Sequence, residues 1–276
     1  MRPPRAERSV PPARETSRRI VAIGGGGFTT STRDLPLDRW AVGLAGTDST
    51  SLCLLPTASG DAEGQIDRFY ATFRGVADHL SHISLFRLGS RPLSLRRHLL
   101  AQDVIYVGGG SLVNLLALWR AHGLDRTLTE AWERGTVLCG VSAGAMCWFE
   151  AGITRSHGRP LAASGLGLLP GSLTVHHDTD RERGGAQRRG LEKGLPSGFA
   201  LDEGVALLFE GTRPTRAVSA RDHARAYRCA LVAGVASEYA IEPVRLASED
   251  EPAVPGAASI AELRELRRRR RLRAAG

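Results

Sequence analysis

Three times by residue 144 of this 276-residue chain a short apolar run stops against glycine. Residues 20–23 (IVAI) meet Gly24, Gly25, Gly26 and Gly27. Residues 104–107 (VIYV) meet Gly108, Gly109 and Gly110. Residues 137–139 (VLC) meet Gly140-Val141-Ser142-Ala143-Gly144. Apolar runs this short suit strands buried on both faces, the condition of a parallel sheet sheathed in helices. The segments between them supply the sheath. Helices are expected over 34–46, 63–80, 94–101, 112–122 and 124–134, with further strands over 51–56 and 83–88. Strand and helix in alternation imply an α/β fold built on a doubly wound, mostly parallel sheet. In such sheets ligands sit beyond the carboxyl ends of the strands, where all three glycine stops fall. Residues 165–246 are richer in strands (174–175, 199–201, 205–209, 216–218, 226–232) and are expected to extend the sheet or flank it, not to form a separate domain.

The net charge of +8 suggests a polyanion partner until it is located. Residues 1–19 carry six Arg against two Glu, and residues 261–276 seven Arg against two Glu, which leaves −1 for everything between. The basicity therefore belongs to the ends. Residues 1–18 read as a disordered, Pro-rich basic extension, 19–246 as a single α/β domain, and 247–276 as a linker followed by an Arg-rich tail. The body is close to neutral and is not expected to bind nucleic acid; a polyanion role would fall to the tail alone, although no aromatic residue interleaves with its arginines. No apolar run is long enough to span a membrane and no secretory h-region is present. Four scattered cysteines (Cys53, Cys139, Cys147, Cys229) with no C-x-x-C spacing indicate neither a zinc site nor a disulfide framework, and a reducing cytoplasm is the expected location.

The third glycine stop has the form G-x-S-x-G. A sharp strand-to-helix turn of this kind lifts a serine hydroxyl clear of the sheet. The same five residues also suit a βα turn in which Ser142 only caps the helix. A nucleophilic serine needs a base, an orienting carboxylate and an oxyanion hole. The hole is expected from the backbone N–H of Ala143 together with the loop of Gly108, Gly109 and Gly110. For the base, His176 and His177 end an apolar stretch after a Pro170-Gly171 turn. Strand alternation lets one of the two face the crevice, without saying which. With Asp178 they could also contribute to a metal site, for which a third ligand is not evident. For the carboxylate, Asp202 and Glu203 interrupt two apolar strands and need partners or solvent there. The glycines at 24–27 fit neither a G-x-G-x-x-G nor a P-loop pattern and read as a tight loop beside the crevice.

Taken together, these stretches resemble the peptidase E-like serine peptidases (peptidase family S51), which also include the cyanophycinases. The resemblance runs through residues 20–28, 54–64, 103–124, 131–150, 166–178 and 201–204, in order. It implies a fold like that of class I glutamine amidotransferases, with serine in place of their cysteine. It implies Ser142 as nucleophile, His176 as base, and Glu203, from an E-G pair, as the orienting carboxylate. The alternative in the family is an Asp about fifteen residues after the serine; His157 stands at that offset here, which favours Glu203. Ser111 stands where many members carry Asn, so it bears on substrate choice. The resemblance further implies short peptides with N-terminal aspartate as substrates. Arg183 and Arg188, in the segment after His176, are candidates to receive the carboxylate, alongside Ser111.

The expected reaction is therefore acyl transfer by a Ser142–His176–Glu203 triad with Gly109, Gly110 and Ala143 as oxyanion donors, needing no cofactor and no metal. A small peptide is the expected partner, with the chain a monomer or dimer. Two rivals accompany this reading: an esterase or amidase of the same layout acting on a non-peptide acyl group, and a non-catalytic polyanion-binding protein using the Arg-rich tail.

Overall fold

A computed structural model of the chain describes residues 18–30, 35–90 and 94–246. The expected N-terminal extension, apart from Arg18, and the expected linker and Arg-rich tail lie outside the described residues. In chain order the elements are β1 (Arg19–Ile23), α1 (Leu35–Gly43), β2 (Ser51–Leu55), α2 (Glu63–Phe73), β3 (His79–His82), α3 (Leu95–Leu100), β4 (Val104–Val107), α4 (Leu112–His122), α5 (Leu124–Glu133), β5 (Val137–Val141) and α6 (Ala143–Met146). They continue with β6 (Phe149–Thr154), β7 (Leu161–Ser164), β8 (Leu169–Val175), α7 (Arg181–Glu192), β9 (Gly198–Leu201), β10 (Val205–Glu210), β11 (Arg213–Ser219), β12 (Ala226–Val232), β13 (Val235–Ile241) and β14 (Val244–Arg245).

The strands form two sheets. The first has eight strands in the order β14-β11-β10-β1-β5-β4-β2-β3, parallel from β1 through β3 and antiparallel where β10 joins β1 and β11. The second has six, in the order β13-β12-β9-β8-β6-β7, with β6, β8 and β9 parallel. The expected mostly parallel α/β architecture is present. The second half of the chain does both things anticipated for it: β10 and β11 extend the first sheet, while β6 to β9, β12 and β13 make the flanking one.

Side-chain alternation builds the layers. Along β1, Val21 and Ile23 face one core with Phe28, Leu37, Phe69 and Phe73, while Ile20 and Ala22 face the other. β2, β4 and β10 alternate in the same way, so nearly every residue in them is buried and the runs read as continuously apolar. The second core holds α4 and α5 and meets the second sheet through Leu173, Val175, Phe199 and Leu201. α5 shows the helical version of the same logic, burying Leu124, Leu128, Ala131 and Trp132 on one stripe. α4 is bounded chemically: Ser111 Oγ accepts the Asn114 N–H at its start, and Gly123 takes the left-handed conformation at its end.

Two local expectations need correction. The helix expected over 63–80 ends at Phe73, and the strand expected over 83–88 lies instead at His79–His82, with 85–90 forming 3-10 turns. Gly75, at φ 81°, turns the chain so that residues 79–82 pair in parallel with β2. β3 is an edge strand whose side chains are half-buried at most, so a polar sequence suffices there. Ile83 and Leu85, whose apolarity suggested a strand, fill the core from the turn beyond it.

Candidate active site

β5 delivers Ser142 to the carboxyl edge of the first sheet and α6 begins at the next residue. Ser142 has φ 56° and ψ −113°, a region that L-residues occupy only when their surroundings force it. The forcing is visible: its N–H donates to the Ile23 carbonyl at 3.0 Å, and its own carbonyl receives the N–H groups of Ala145 and Met146, each at 3.0 Å. A Cβ on Gly140 would overlap the Gly144 carbonyl, so the turn closes only over glycine. Ser142 makes no side-chain cap bond to the helix. Its Oγ lies 2.9 Å from His176 Nε2.

His176 follows β8 and also has positive φ, 55°. In an unbroken strand residues 174 and 176 would share a face. Here Thr174, paired with Ala200, shares the α7-side face with His177, whose ring lies 4.9 Å from Tyr227, while His176 turns to Ser142. The left-handed residue inverts the alternation and separates the two histidines. Their Nε2 atoms meet different partners, Ser142 for His176 and Glu238 (3.2 Å) for His177, so the pair does not converge on one ligand.

Glu203 stands in the turn between β9 and β10, where the chain passes from the second sheet to the first. Its Oε1 lies 3.0 Å from His176 Nδ1 and its Oε2 accepts from Arg221 Nη1 at 3.1 Å. Its N–H donates to Asp178 Oδ1 at 3.0 Å, which ties the histidine's turn to the glutamate's. Asp202, its neighbour, turns away and accepts the Arg225 N–H at 2.8 Å. Gly25 packs against the pair: a Cβ there would fall 2.6 Å from His176 Nδ1 and 2.9 Å from Glu203 Cγ. Burial pushes the His176 imidazole below the ordinary histidine value; the Glu203 hydrogen bond opposes this and the Arg183 charge adds to it. A neutral imidazole with Glu203 accepting at Nδ1–H leaves Nε2 free to accept from the serine.

On the other side of Ser142 lies the loop after β4. The Gly108 N–H donates to the Leu55 carbonyl (3.2 Å) and the Ser111 N–H to the Ala58 carbonyl (2.8 Å). Between those anchors, the amides of Gly109 and Gly110 have no backbone acceptor among the described residues. A Cβ on Gly109 would lie 3.4 Å from Ser142 Cβ, so this glycine borders the serine directly. Gly110, at φ 145°, holds a conformation closed to other residues. The Ala143 N–H heads α6, where a first-turn amide has no intrahelical partner.

The remaining candidates are placed as follows. Arg183 is largely buried and donates through Nε to Asp180 Oδ2 at 2.9 Å, while its Nη1 is buried with no partner among the described residues. Arg188 is half-exposed and lies 3.5 Å from Glu238, on the His177 side of the second sheet and not beside His176. Ser111 spends its hydroxyl capping α4. The four cysteines are buried free thiols; burial pushes Cys53 and Cys229 up to about 12. No helix among the described residues is long and apolar enough to cross a membrane.

The family model for peptidase family S51 matches residues 20–216. The chain belongs to peptidase family S51. It is 43% identical to the uncharacterized peptidase YgaJ of Bacillus subtilis (strain 168) over 212 residues, 76% of this chain and 91% of that protein. Its fold is similar to the crystal structure of a peptidase from an acI-B1 actinobacterium, with a TM-score of 0.63, 16% identity, and 82% of this chain and 94% of that one covered. It is also similar to that of a candidate peptidase E protein from Listeria monocytogenes EGD-e, with a TM-score of 0.53, 16% identity, and 72% and 98% covered. The chain is thus a peptidase, a hydrolase of the serine type, as the sequence resemblance implied.

Sequence reasoning missed Arg221 and Asp178. Asp178 was noticed only as a third group in a hypothetical metal cluster, and Arg221 is one arginine in an Arg-rich chain, 18 residues beyond the glutamate it touches. Only the β10–β11 hairpin brings Arg221 back, and no local pattern announces that pairing.

Proposed function

We propose that this peptidase cleaves short peptides, dipeptides with N-terminal aspartate foremost, through an acyl-enzyme on Ser142. The observation that carries the reading is the unbroken relay from Ser142 Oγ to His176 Nε2 and from His176 Nδ1 to Glu203. In the proposed reaction His176 takes the Ser142 proton as Oγ attacks the scissile carbonyl. The oxyanion is held by the N–H groups of Ala143 and the Gly109–Gly110 loop. His176 then returns the proton to the leaving amine, and water, activated by the same imidazole, releases the acyl group. Arg183 is the favoured recipient of the substrate carboxylate, because its buried Nη1 has no partner among the described residues and its charge reaches His176. Arg188 and Ser111 are engaged elsewhere and are not favoured. We place the reaction in the cytoplasm, since four free buried thiols suit a reducing compartment.

The test is a panel of Asp-X, Glu-X and Ala-X dipeptides with acyl esters alongside, assayed on wild type, Ser142→Ala and Arg183→Met. Ser142→Ala should lower kcat/KM on every cleaved substrate by about a thousand-fold or more. Arg183→Met should raise KM for Asp-X and leave esters unaffected. Full activity in the alanine variant would refute the nucleophile, and faster cleavage of simple esters than of any dipeptide would favour the esterase reading.

A further inference from the structure

The carboxylate of Glu203 is gripped at both oxygens. Oε1 faces His176 Nδ1 at 3.0 Å, and Oε2 accepts from Arg221 Nη1 at 3.1 Å. Arg221 is itself built into place. Its N–H donates to Ser219 Oγ (3.0 Å), and the same hydroxyl lies 2.7 Å from the Arg221 carbonyl and 3.1 Å from that of Gly204. The Ala220 N–H donates to the Gly204 carbonyl at 2.9 Å. The stem of Arg221 lies across Gly204, where a Cβ would come 2.6 Å from its Cγ. The segment 219–221 therefore forms a cradle under the Glu203-Gly204 turn, with a guanidinium aimed at the oxygen the histidine does not use.

We propose that Arg221 is a positioning residue for the Ser142–His176–Glu203 relay, fixing Glu203 so that its other oxygen stays on His176 Nδ1. This rests on the triad reading above. A carboxylate on a side chain with several rotatable bonds, about a quarter exposed, exchanges its two oxygens and wanders unless one is tethered. Each excursion releases Nδ1–H and lets the imidazole take the wrong tautomer or swing from the serine. Arg221 also balances the Glu203 charge. Among the described residues the charged groups facing His176 are Glu203, Arg183 and Asp178. Without the guanidinium behind it, the Glu203 carboxylate acts on the imidazole uncompensated and favours its protonation.

The experiment measures the rate at which a fluorophosphonate labels Ser142, against pH, so that no knowledge of the natural peptide is needed. Labelling displaces fluoride as the serine oxygen bonds phosphorus and its proton passes to His176. Wild type, Glu203→Gln, Arg221→Lys, Arg221→Met and Glu203→Gln/Arg221→Met are compared, with thermal melts of each. Arg221→Met should slow labelling about ten- to a hundred-fold and move the acid limb to higher pH, with Arg221→Lys recovering part of the rate. In the Glu203→Gln background the Arg221→Met change should add almost nothing. If Glu203→Gln leaves the rate intact, the triad reading fails. If Glu203→Gln slows labelling while Arg221→Met leaves rate and pH limb at wild-type values, or adds its full effect in the double variant, the triad stands and the role of Arg221 is refuted. A lower melting temperature for Arg221→Met with an unmoved acid limb likewise reduces Arg221 to a structural residue.

Discussion

At the scale of single residues the site depends on two backbone conformations that are costly for L-residues, at Ser142 and at His176. Each aims one side chain at the other. The lowered affinity of the buried His176 for protons has two consequences. The acid limb of kcat/KM should lie below about 6.5, the ordinary histidine value; a pH profile checks this, and an acid limb above 7 would contradict it. For stability the sign is the same: the unfolded chain protonates first as pH falls. The contribution of the neutral histidine is thus present above about 6.5 and lost as pH falls toward the folded value. Gly25→Ala should damage activity more than stability, because the added methyl displaces His176 and Glu203 while β1 keeps its pairing. A kcat loss of about tenfold or more with a small change in melting temperature is the expected result. Of these features Ser142 was legible, since the glycines on both sides of it have a steric cause that a sequence displays. His176 against His177 was legible only through the family resemblance, because the residue with positive φ that decides between them breaks the alternation from which one would otherwise choose.

At the scale of elements, a carboxylate at the start of α7 ties the helix to Arg155. Asp180 caps the helix by accepting the Arg183 N–H at 3.2 Å, receives Arg155 through Nε and Nη2 at 2.6 and 2.8 Å, and receives Arg183 Nε at 2.9 Å. Its hydrogen bonds to Arg155 hold its carboxyl well below the usual carboxylate range. The stabilisation this implies is fully present above the unfolded value of about 3.9 and is lost as pH falls through the folded value. Asp180→Asn should therefore melt lower than wild type at pH 7, and the gap should narrow steadily below about pH 4. Scanning calorimetry at several pH values reads this directly; a pH-independent gap would show that packing, not charge, holds the helix. Most helices were legible because burial on one stripe leaves a 3.6-residue signature, as in α5. The edge strands were harder. β3 and β7 have no fully buried residue, so nothing in their sequences distinguishes a paired backbone from a loop.

At the scale of the whole molecule, the groups of the site come from the ends of β4, β5, β8 and β9, and therefore from both sheets. An aromatic contact joins the two sheets: Phe209 of the first meets Phe149 and Phe199 of the second, with ring centroids 5.5 and 5.7 Å apart. Phe209→Ala should cost about 3–5 kcal/mol in a urea melt, the usual range for emptying a buried aromatic site. A loss under 1 kcal/mol would mean that the sheets hold together without it. The alternating layout of the first sheet followed from the sequence because its runs are buried on both faces. The division of the second half between two sheets did not, since a strand's composition reports how deeply it is buried and not which neighbour it pairs with.

β1 is the first of the described strands to be made and sits in the middle of its sheet. Its hydrogen-bonded neighbours, β5 and β10, are residues 137–141 and 205–210, and its last carbonyl holds the Ser142 N–H. Contacts this distant in sequence form late and slowly. During synthesis the serine, the histidine and the glutamate all leave the ribosome before β10 closes the open edge of β1. We therefore expect the serine of the nascent chain to stay unreactive until residues 205–210 have emerged and paired with β1. A chain ending at residue 204 contains all three residues of the relay, and we expect it not to react with a fluorophosphonate. Labelling at the wild-type rate would show that the serine is armed without β10, the strands after it and Arg221.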